Sequence, residues 1–208
     1  MSWFDIPPCF VFHTVTAVES EEKIELRAIR YPRLFDGGSA DPFSHGGQLW
    51  QWVINLRRGT VTEHQLDDRL QELPRVDPDA FNRGARYHYA VTADTAGNVG
   101  AHVPEALLRH DSHTGVTELR RGRPATVPSE AVFVPDPNAR PPATAPVPGG
   151  EQPGWVLYFC FDERAGTSEL VVVDTRDFAG PPVAVVSLPV RVPFGFHSSW
   201  IPGAELPR

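Results

Sequence analysis

The chain has 208 residues, of which 41% are hydrophobic and 22% charged, with a formal net charge of −7 at pH 7. This composition predicts one globular domain over residues 1–208, and the negative charge without a basic stripe argues against nucleic-acid binding. The N-terminus lacks a cationic segment before an apolar run, and the apolar runs are too short to span a membrane. A cytoplasmic location is therefore expected.

The chain is predicted to be all-β. It contains 22 prolines and 17 glycines among clusters of Val, Ile, Thr and aromatic residues, a pattern typical of short strands joined by tight turns. It lacks long stretches with the 3.6-residue apolar period of an amphipathic helix. "DDRLQELPRV" is expected to form at most one helical turn, ended by Pro74.

Three segments are predicted to be β-hairpins: residues 49–66, 106–119 and 156–174. Each consists of an apolar strand, a polar turn with a glycine and a second strand. The turn glycines, Gly59, Gly115 and Gly166, follow one another at intervals of 56 and 51 residues. Intervals of about 50 residues are expected of the four-stranded blades of a propeller. A β-sandwich with evenly spaced hairpins is the alternative.

The stretch from residue 135 to 153 contains seven prolines and no apolar alternation. Because proline cannot donate to a strand ladder, this stretch is predicted to be a long surface loop rather than a strand. The strand and turn pattern resumes directly after it, so the loop is assigned to the same domain. The two cysteines, Cys9 and Cys160, lie in apolar runs and are expected to be buried free thiols.

Six of the eight histidines are expected to have no functional role. His110 and His113, in "HDSH", are expected on an exposed turn, because the corresponding turn of the next hairpin, "FDERAG", has no histidine. The others lie in polar loops or alternating strands without a partner at ligand spacing: His45, His64, His88 and His102.

His13 and His197 differ from these six. Each is surrounded by bulky apolar residues, in "CFVFHTV" and "PFGFHSS". Such neighbours would desolvate an imidazole, whose ring nitrogens would then need polar partners. A packed core histidine is the simpler explanation for either residue taken alone, and a ligand is the alternative.

The sequence motifs around these histidines resemble those of the carotenoid oxygenases. The segments "PPCFVFHTVTAVE", "YPRLFDGGSADPF", "LQELPRVD", "SEAVFVPDP" and "LPVRVPFGFHSSWIP" occur in the family's order and at its intervals. This family includes the carotenoid and apocarotenoid cleavage dioxygenases, the lignostilbene dioxygenases and the retinal pigment epithelium isomerase. The resemblance covers nearly the whole chain, but only the C-terminal part of the family's usual length.

The resemblance implies a non-haem Fe(II) ion on the axis of a seven-bladed β-propeller, held by four histidines. Family members split a conjugated C=C bond of a carotenoid, apocarotenoid or stilbene with O₂, giving two carbonyl products. His13 and His197 match two of the four ligands. Glu72 and Glu130 match glutamates that hydrogen-bond to ligating histidines, an arrangement that fixes the tautomer and orientation of each ring. The implied partners are O₂ and an apolar conjugated substrate.

The resemblance also implies that an N-terminal half is missing, with two histidines and the blades that close the propeller. The chain is therefore expected to be a fragment of a longer parent, whose membrane association is left open. An inactive half-propeller that acts only as an interaction module or remnant is the alternative. A third hypothesis is that the chain pairs with itself or with a separate N-terminal half to rebuild the axis.

Overall fold

The computed structural model describes residues 2–34, 46–92, 104–139 and 153–206. Within these ranges the regular structure consists of thirteen strands and three short 3₁₀ segments, without an α-helix. The described residues accordingly contain no helix long and apolar enough to cross a membrane. The prediction of an all-β fold is confirmed.

The first sheet is an antiparallel meander in which each strand pairs with the next along the chain. Its strands are β1 (Phe10–Glu19), β2 (Lys23–Tyr31), β3 (Gln48–Asn55) and β4 (Thr60–Asp67). The second sheet repeats this topology. Its strands are β5 (Gln71–Arg75), β6 (Tyr87–Thr92), β7 (Ala106–Asp111) and β8 (Thr117–Arg121).

The third sheet begins with a broken strand. Its strands are β9 (Thr126–Pro128), β10 (Val132–Pro135), β11 (Gly154–Asp162), β12 (Thr167–Asp174) and β13 (Ala184–Ser187). Both β9 and β10 pair with β11, at opposite ends of it, so together they occupy one strand position. Three antiparallel sheets in succession agree with the predicted propeller as far as the described residues extend.

The three predicted hairpins are confirmed, one in each sheet. Gly59, Gly115 and Gly166 have φ values of 67°, 73° and 69°, which glycine adopts without steric cost. The first two hairpins join the last two strands of their sheets, whereas the third joins β11 and β12 in the middle of its sheet. The 56- and 51-residue intervals therefore mark one hairpin per sheet rather than a strict structural repeat.

The predicted helical turn in "DDRLQELPRV" is wrong, because residues 71–75 form β5 instead. The pairing of β5 with β6 is irregular between Glu72 and Arg75, and Leu73 has a positive φ of 54°. Pro74 therefore falls where no regular ladder bond is required of it, which makes proline tolerable in this edge strand. Of the predicted Pro-rich loop, residues 140–152 lie outside the described ranges.

The main core lies between the second and third sheets. Tyr89 and Leu107 from the second sheet pack with Phe133, Val156 and Val173 from the third. A second cluster lies on the first sheet and contains Val15, Ile29, Tyr31 and Leu49. Each fully buried side chain of this size contributes about 1.5–3 kcal/mol of transfer free energy, so these clusters are the main source of stability.

Gly154→Ala is expected to reduce the free energy of unfolding by about 2 kcal/mol through overpacking. An added Cβ at Gly154 would lie 2.4 Å from the Val134 carbonyl oxygen and 2.9 Å from the Phe133 ring. Urea unfolding followed by tryptophan fluorescence measures the change. Gly195→Ala is the matched control, since a Cβ there meets no atom within 4 Å. Equal stability of the two variants would contradict the prediction.

Candidate metal centre

Three of the four predicted site residues lie at irregular positions in the first strands of the three sheets. His13 lies in β1, where the pairing with β2 shifts twice between Val11 and Thr16. Glu72 lies where β5 shifts against β6. Glu130 lies in the break between β9 and β10. Bulges and breaks of this kind change the direction of a side chain and are common beside functional sites.

His197 lies outside regular structure. It belongs to the irregular stretch between β13 and the 3₁₀ segment Gly203–Glu205. Its side chain is 54% exposed, compared with 26% for that of His13. Phe194 and Phe196 are also mostly exposed. The expectation that apolar neighbours would desolvate His197 is therefore wrong, because its segment lies on the surface.

The structure brings the four residues together as two imidazole–carboxylate pairs. His13 Nδ1 lies 2.6 Å from Glu72 Oε2, and His197 Nδ1 lies 3.0 Å from Glu130 Oε1. A carboxylate only accepts hydrogen bonds, so each Nδ1 carries the proton that it donates. The Nε2 atoms of the two histidines face each other at 3.3 Å.

This donor set fits a shared metal cation. In neutral imidazoles protonated at Nδ1, both Nε2 atoms carry lone pairs, and at 3.3 Å these repel unless a cation lies between them. The separation is shorter than two metal–nitrogen bonds of about 2.1 Å each, so both nitrogens can reach one ion. Among the described residues, groups of three or more His, Cys, Asp or Glu side chains suited to a metal are absent. The described part of the chain thus offers two nitrogen ligands.

Tyr31 supports Glu72 and was missed by the sequence analysis. This buried side chain of β2 donates a hydrogen bond from its hydroxyl to Glu72 Oε1 at 2.9 Å. Burial and the neighbouring carboxylate of Glu72 raise the pKa of Tyr31, so the hydroxyl keeps its proton and remains a donor. No local pattern marks Tyr31, which lies 41 residues from Glu72 in the chain.

Glu130 is the more deeply buried of the two glutamates, with its side chain only 2% exposed. One carboxylate oxygen accepts from His197, and the other accepts from the backbone N–H of Ser198 at 2.6 Å. Both bonds fix the position of the carboxylate. The burial of Glu130 agrees with its position before the apolar "AVFVP".

A largely apolar cleft of about 440 Å³ lies beside His13 and Glu72. Its walls come from the first two sheets and from the His197 segment. The lining residues are Phe12, His13, Tyr31, Gly46, Gly47, Leu70, Gln71, Glu72, Leu73, Val91, Thr92, Pro104 and Phe196. A cleft with apolar walls and a few polar groups suits an apolar ligand held beside the two histidines.

The expectation that His110 lies on an exposed turn is wrong. His110 is buried on β7, with Nδ1 2.8 Å from Thr117 Oγ1 and 3.5 Å from Asp67 Oδ2. His113 is exposed, as expected. His88 is also buried, with Nε2 2.7 Å from Gln71 Oε1. Antiparallel pairing of β6 with β7 places His88 directly opposite His110, which no pattern within either strand predicts.

One of the remaining histidines is described, and it does not join the candidate metal centre. His64 is exposed on β4, and His45 and His102 lie outside the described ranges. Fold and site thus define an all-β protein with a candidate metal centre made of glutamate-bound histidines. The chain belongs to the retinal pigment epithelial membrane protein (RPE65) family, whose model matches residues 1–202. The resemblance to the carotenoid oxygenases is confirmed.

Relatives with similar sequences are carotenoid-cleaving enzymes by name. The chain is 33% identical to carotenoid 9,10(9',10')-cleavage dioxygenase 1 of Pisum sativum, over 98% of the chain and 39% of that protein. It is 32% identical to a carotenoid cleavage oxygenase of Mycobacterium tuberculosis, over 96% of the chain and 39% of that protein. The chain thus spans about two fifths of the length of these relatives.

Solved structures of the same family match the fold. A variant of the Synechocystis apocarotenoid oxygenase matches with a TM-score of 0.78 and 31% identity, over 92% of this chain and 39% of that one. The cobalt-substituted form of that enzyme matches with a TM-score of 0.77 and 30% identity, over the same shares of the two chains. That relative therefore binds a metal ion.

Proposed function

We propose that the chain supplies part of the Fe(II) centre of an O₂-dependent enzyme that cleaves a conjugated C=C bond of a carotenoid, apocarotenoid or stilbene. In this proposal the three sheets are the C-terminal part of a seven-bladed propeller. The observation that carries it is the 3.3 Å approach of two Nε2 atoms whose rings are each held by a glutamate. The names of the relatives support the substrate class.

His13 and His197 would hold the metal through Nε2. When bound, Fe(II) would supply the ability to bind and activate O₂, and neutral histidine ligands would leave its charge uncancelled. Glu72 and Glu130 keep the protons on Nδ1, which directs both lone pairs to one point. Tyr31 restrains Glu72 by donating to its other oxygen.

The apolar cleft would bind part of the conjugated substrate beside the metal. Phe12, Leu73 and Phe196 line it together with His13, and they can bury a polyene or an aromatic ring. Their apolar surface would also keep bulk water away from the reacting carbons. Most of the exposed surface that the described residues give to the cleft is apolar, which favours an apolar ligand.

Iron stoichiometry of the purified chain after anaerobic Fe(II) loading tests the proposal. Specific iron is expected in the unchanged chain and in His64→Ala, whose histidine is exposed on β4. Iron is expected to be lost in His13→Ala and in His197→Ala. Size-exclusion chromatography alongside shows whether a monomer or an oligomer holds the metal. An iron stoichiometry that is the same in the unchanged chain, His13→Ala and His197→Ala would overturn the proposed site.

Cleavage assays follow if iron is bound. Apocarotenoids and stilbenes are incubated with the loaded chain and O₂, and carbonyl products are separated by chromatography. Products that disappear in His197→Ala would support the full proposal. Iron binding without products would limit the chain to the metal site and assign the chemistry to a longer protein.

An inactive interaction module is the second candidate, favoured by the third sheet. All four residues of β13 are exposed, including Val185 and Val186 on this edge strand. An exposed apolar edge of this kind is a pairing site for another strand. A chain without His197-dependent iron that associates through β13 would support this function instead.

A further inference from the structure

Arg75 contacts both groups that hold His197. It lies on β5, three residues after Glu72, and its Nη2 donates to the Ser198 carbonyl oxygen at 2.9 Å. Its Nε lies 3.8 Å from Glu130 Oε1, the oxygen that accepts from His197. One guanidinium thus joins the buried carboxylate to the backbone beside the histidine. Neither the sequence patterns nor the family resemblance assigned a role to Arg75.

His197 depends on such contacts because its own segment lacks regular structure. From the end of β13 to residue 202 the described chain has neither strand nor helix. The side chain of His197 is about half exposed, so packing alone does not fix its ring. The position of the ring depends on Glu130, which accepts a hydrogen bond from Nδ1 of His197. It also depends on Ser198, whose N–H donates to Glu130 and whose carbonyl oxygen accepts from Arg75.

The charges fit this arrangement. The side chain of Glu130 is almost fully buried. It accepts hydrogen bonds from the imidazole of His197 and from the backbone N–H of Ser198, and both donors are uncharged when His197 is a neutral ligand. The positive charge of Arg75 compensates the buried carboxylate, which otherwise has a high desolvation cost. A guanidinium has donors in several fixed directions and can bind both groups at once, whereas a lysine ammonium acts as a single point of charge.

We propose that Arg75 is a positioning residue of the metal centre. It fixes the Glu130–His197 pair relative to the strand that carries Glu72, and so sets the approach of the two Nε2 atoms. The two imidazoles come from distant parts of the chain, and β5 connects them. It carries Glu72, which binds His13, and Arg75, which contacts Glu130 and Ser198 beside His197. The role at the metal rests on the proposed function, whereas the effect of Arg75 on the His197 ring does not.

The test first uses the metal-free chain. Histidine ring nitrogens of the ¹⁵N-labelled protein are observed by long-range ¹H–¹⁵N correlation at pH 7.5, with His197→Ala and His13→Ala for assignment. In the unchanged chain, His197 is expected to show one tautomer protonated at Nδ1. In Arg75→Gln, its signals are expected to average between tautomers, while those of His13 stay unchanged. Arg75→Lys is expected to show an intermediate pattern. Arg58→Gln is the control, and because Arg58 lies at an exposed turn position, its substitution is expected to leave the His197 signals unchanged.

A Co(II) titration of the same variants follows. Arg75→Gln is expected to bind Co(II) on the order of tenfold more weakly than the unchanged chain, with partial recovery in Arg75→Lys. Unchanged His197 signals in Arg75→Gln would overturn the inference. If Arg75→Gln does not fold, the same comparison is made with Arg75→Lys. Arg75-dependent His197 signals in a chain that binds no Co(II) would support the positioning role and contradict the proposed function.

Discussion

Glu130→Ala is expected to weaken metal binding by the chain about 10- to 100-fold, the range typical for loss of a carboxylate behind a ligating histidine. The substitution removes the acceptor for His197 Nδ1 and for the Ser198 N–H, so the ring can rotate and change its tautomer. His13 keeps its own partner, Glu72, and its position should not change. Isothermal titration with Co(II) under buffered conditions measures the affinity.

The same substitution is also expected to reduce the free energy of unfolding by about 2 kcal/mol, because donors that bound the buried carboxylate lose their acceptor. Glu130→Gln keeps the shape and one acceptor oxygen, so its losses should lie between those of the unchanged chain and Glu130→Ala. Glu118→Ala is the control, since Glu118 is a partly exposed residue of β8 that pairs with Arg109. Co(II) affinity that is equal in Glu130→Ala and Glu118→Ala would contradict the assigned role.

Acid is expected to destabilise the chain between about pH 6.5 and pH 4 through His88. Burial lowers the pKa of His88 to about 3, helped by the nearby His110 and Arg27 and partly opposed by Asp67. In the unfolded chain this imidazole has an ordinary pKa near 6.5. Below that pH the unfolded state binds a proton that the folded state does not, so stability falls as the pH falls.

The expected loss attributable to His88 is about 2.5 kcal/mol between pH 7.5 and pH 4.5, from a slope of about 1.4 kcal/mol per pH unit below pH 6.5. Urea unfolding at several pH values measures it. His88→Gln should remove this part of the pH dependence, whereas His64→Gln, at an exposed site, should keep it. The same pH dependence in all three proteins would show that His88 is not responsible.

Carboxylates with lowered pKa values contribute to the pH dependence of stability at lower pH than His88 does. Hydrogen bonds and Arg69 hold the pKa of Asp67 below its usual value despite burial, and hydrogen bonds from Arg86 do the same for Asp111. A depressed carboxylate pKa stabilises the fold above the unfolded value near 3.8, and this stability is lost only as the pH falls further. The interval from pH 6.5 to pH 4 therefore reports on His88 rather than on these aspartates.

The hairpins could be predicted from the sequence because their signals are local. A glycine between a polar turn and a β-branched strand is enough to place a turn, and Gly59, Gly115 and Gly166 all have the expected positive φ. β5 could not be predicted in this way, since Pro74 disfavours a regular strand. Pairing with β6 decided its structure.

The candidate site likewise has residues that the sequence predicts and residues that only the structure shows. His13, His197, Glu72 and Glu130 were identified from family phrases, and the structure brings them together. Tyr31 and Arg75 were missed, because each meets its partner only across separate strands or segments. The burial of His88 and His110 side by side could not be predicted, since their opposition depends on the register between β6 and β7.

The sequence by itself determined the all-β class, the positions of the tight turns and the family. These properties depend on the local conformational preferences of residues and on phrases contiguous in the chain. Only the tertiary structure decided that two imidazoles 184 residues apart meet at Nε2. That meeting depends on irregular first strands that redirect His13, Glu72 and Glu130, and on contacts that hold the His197 segment. The direction of a side chain at such a position is set by distant partners, so no local pattern encodes it.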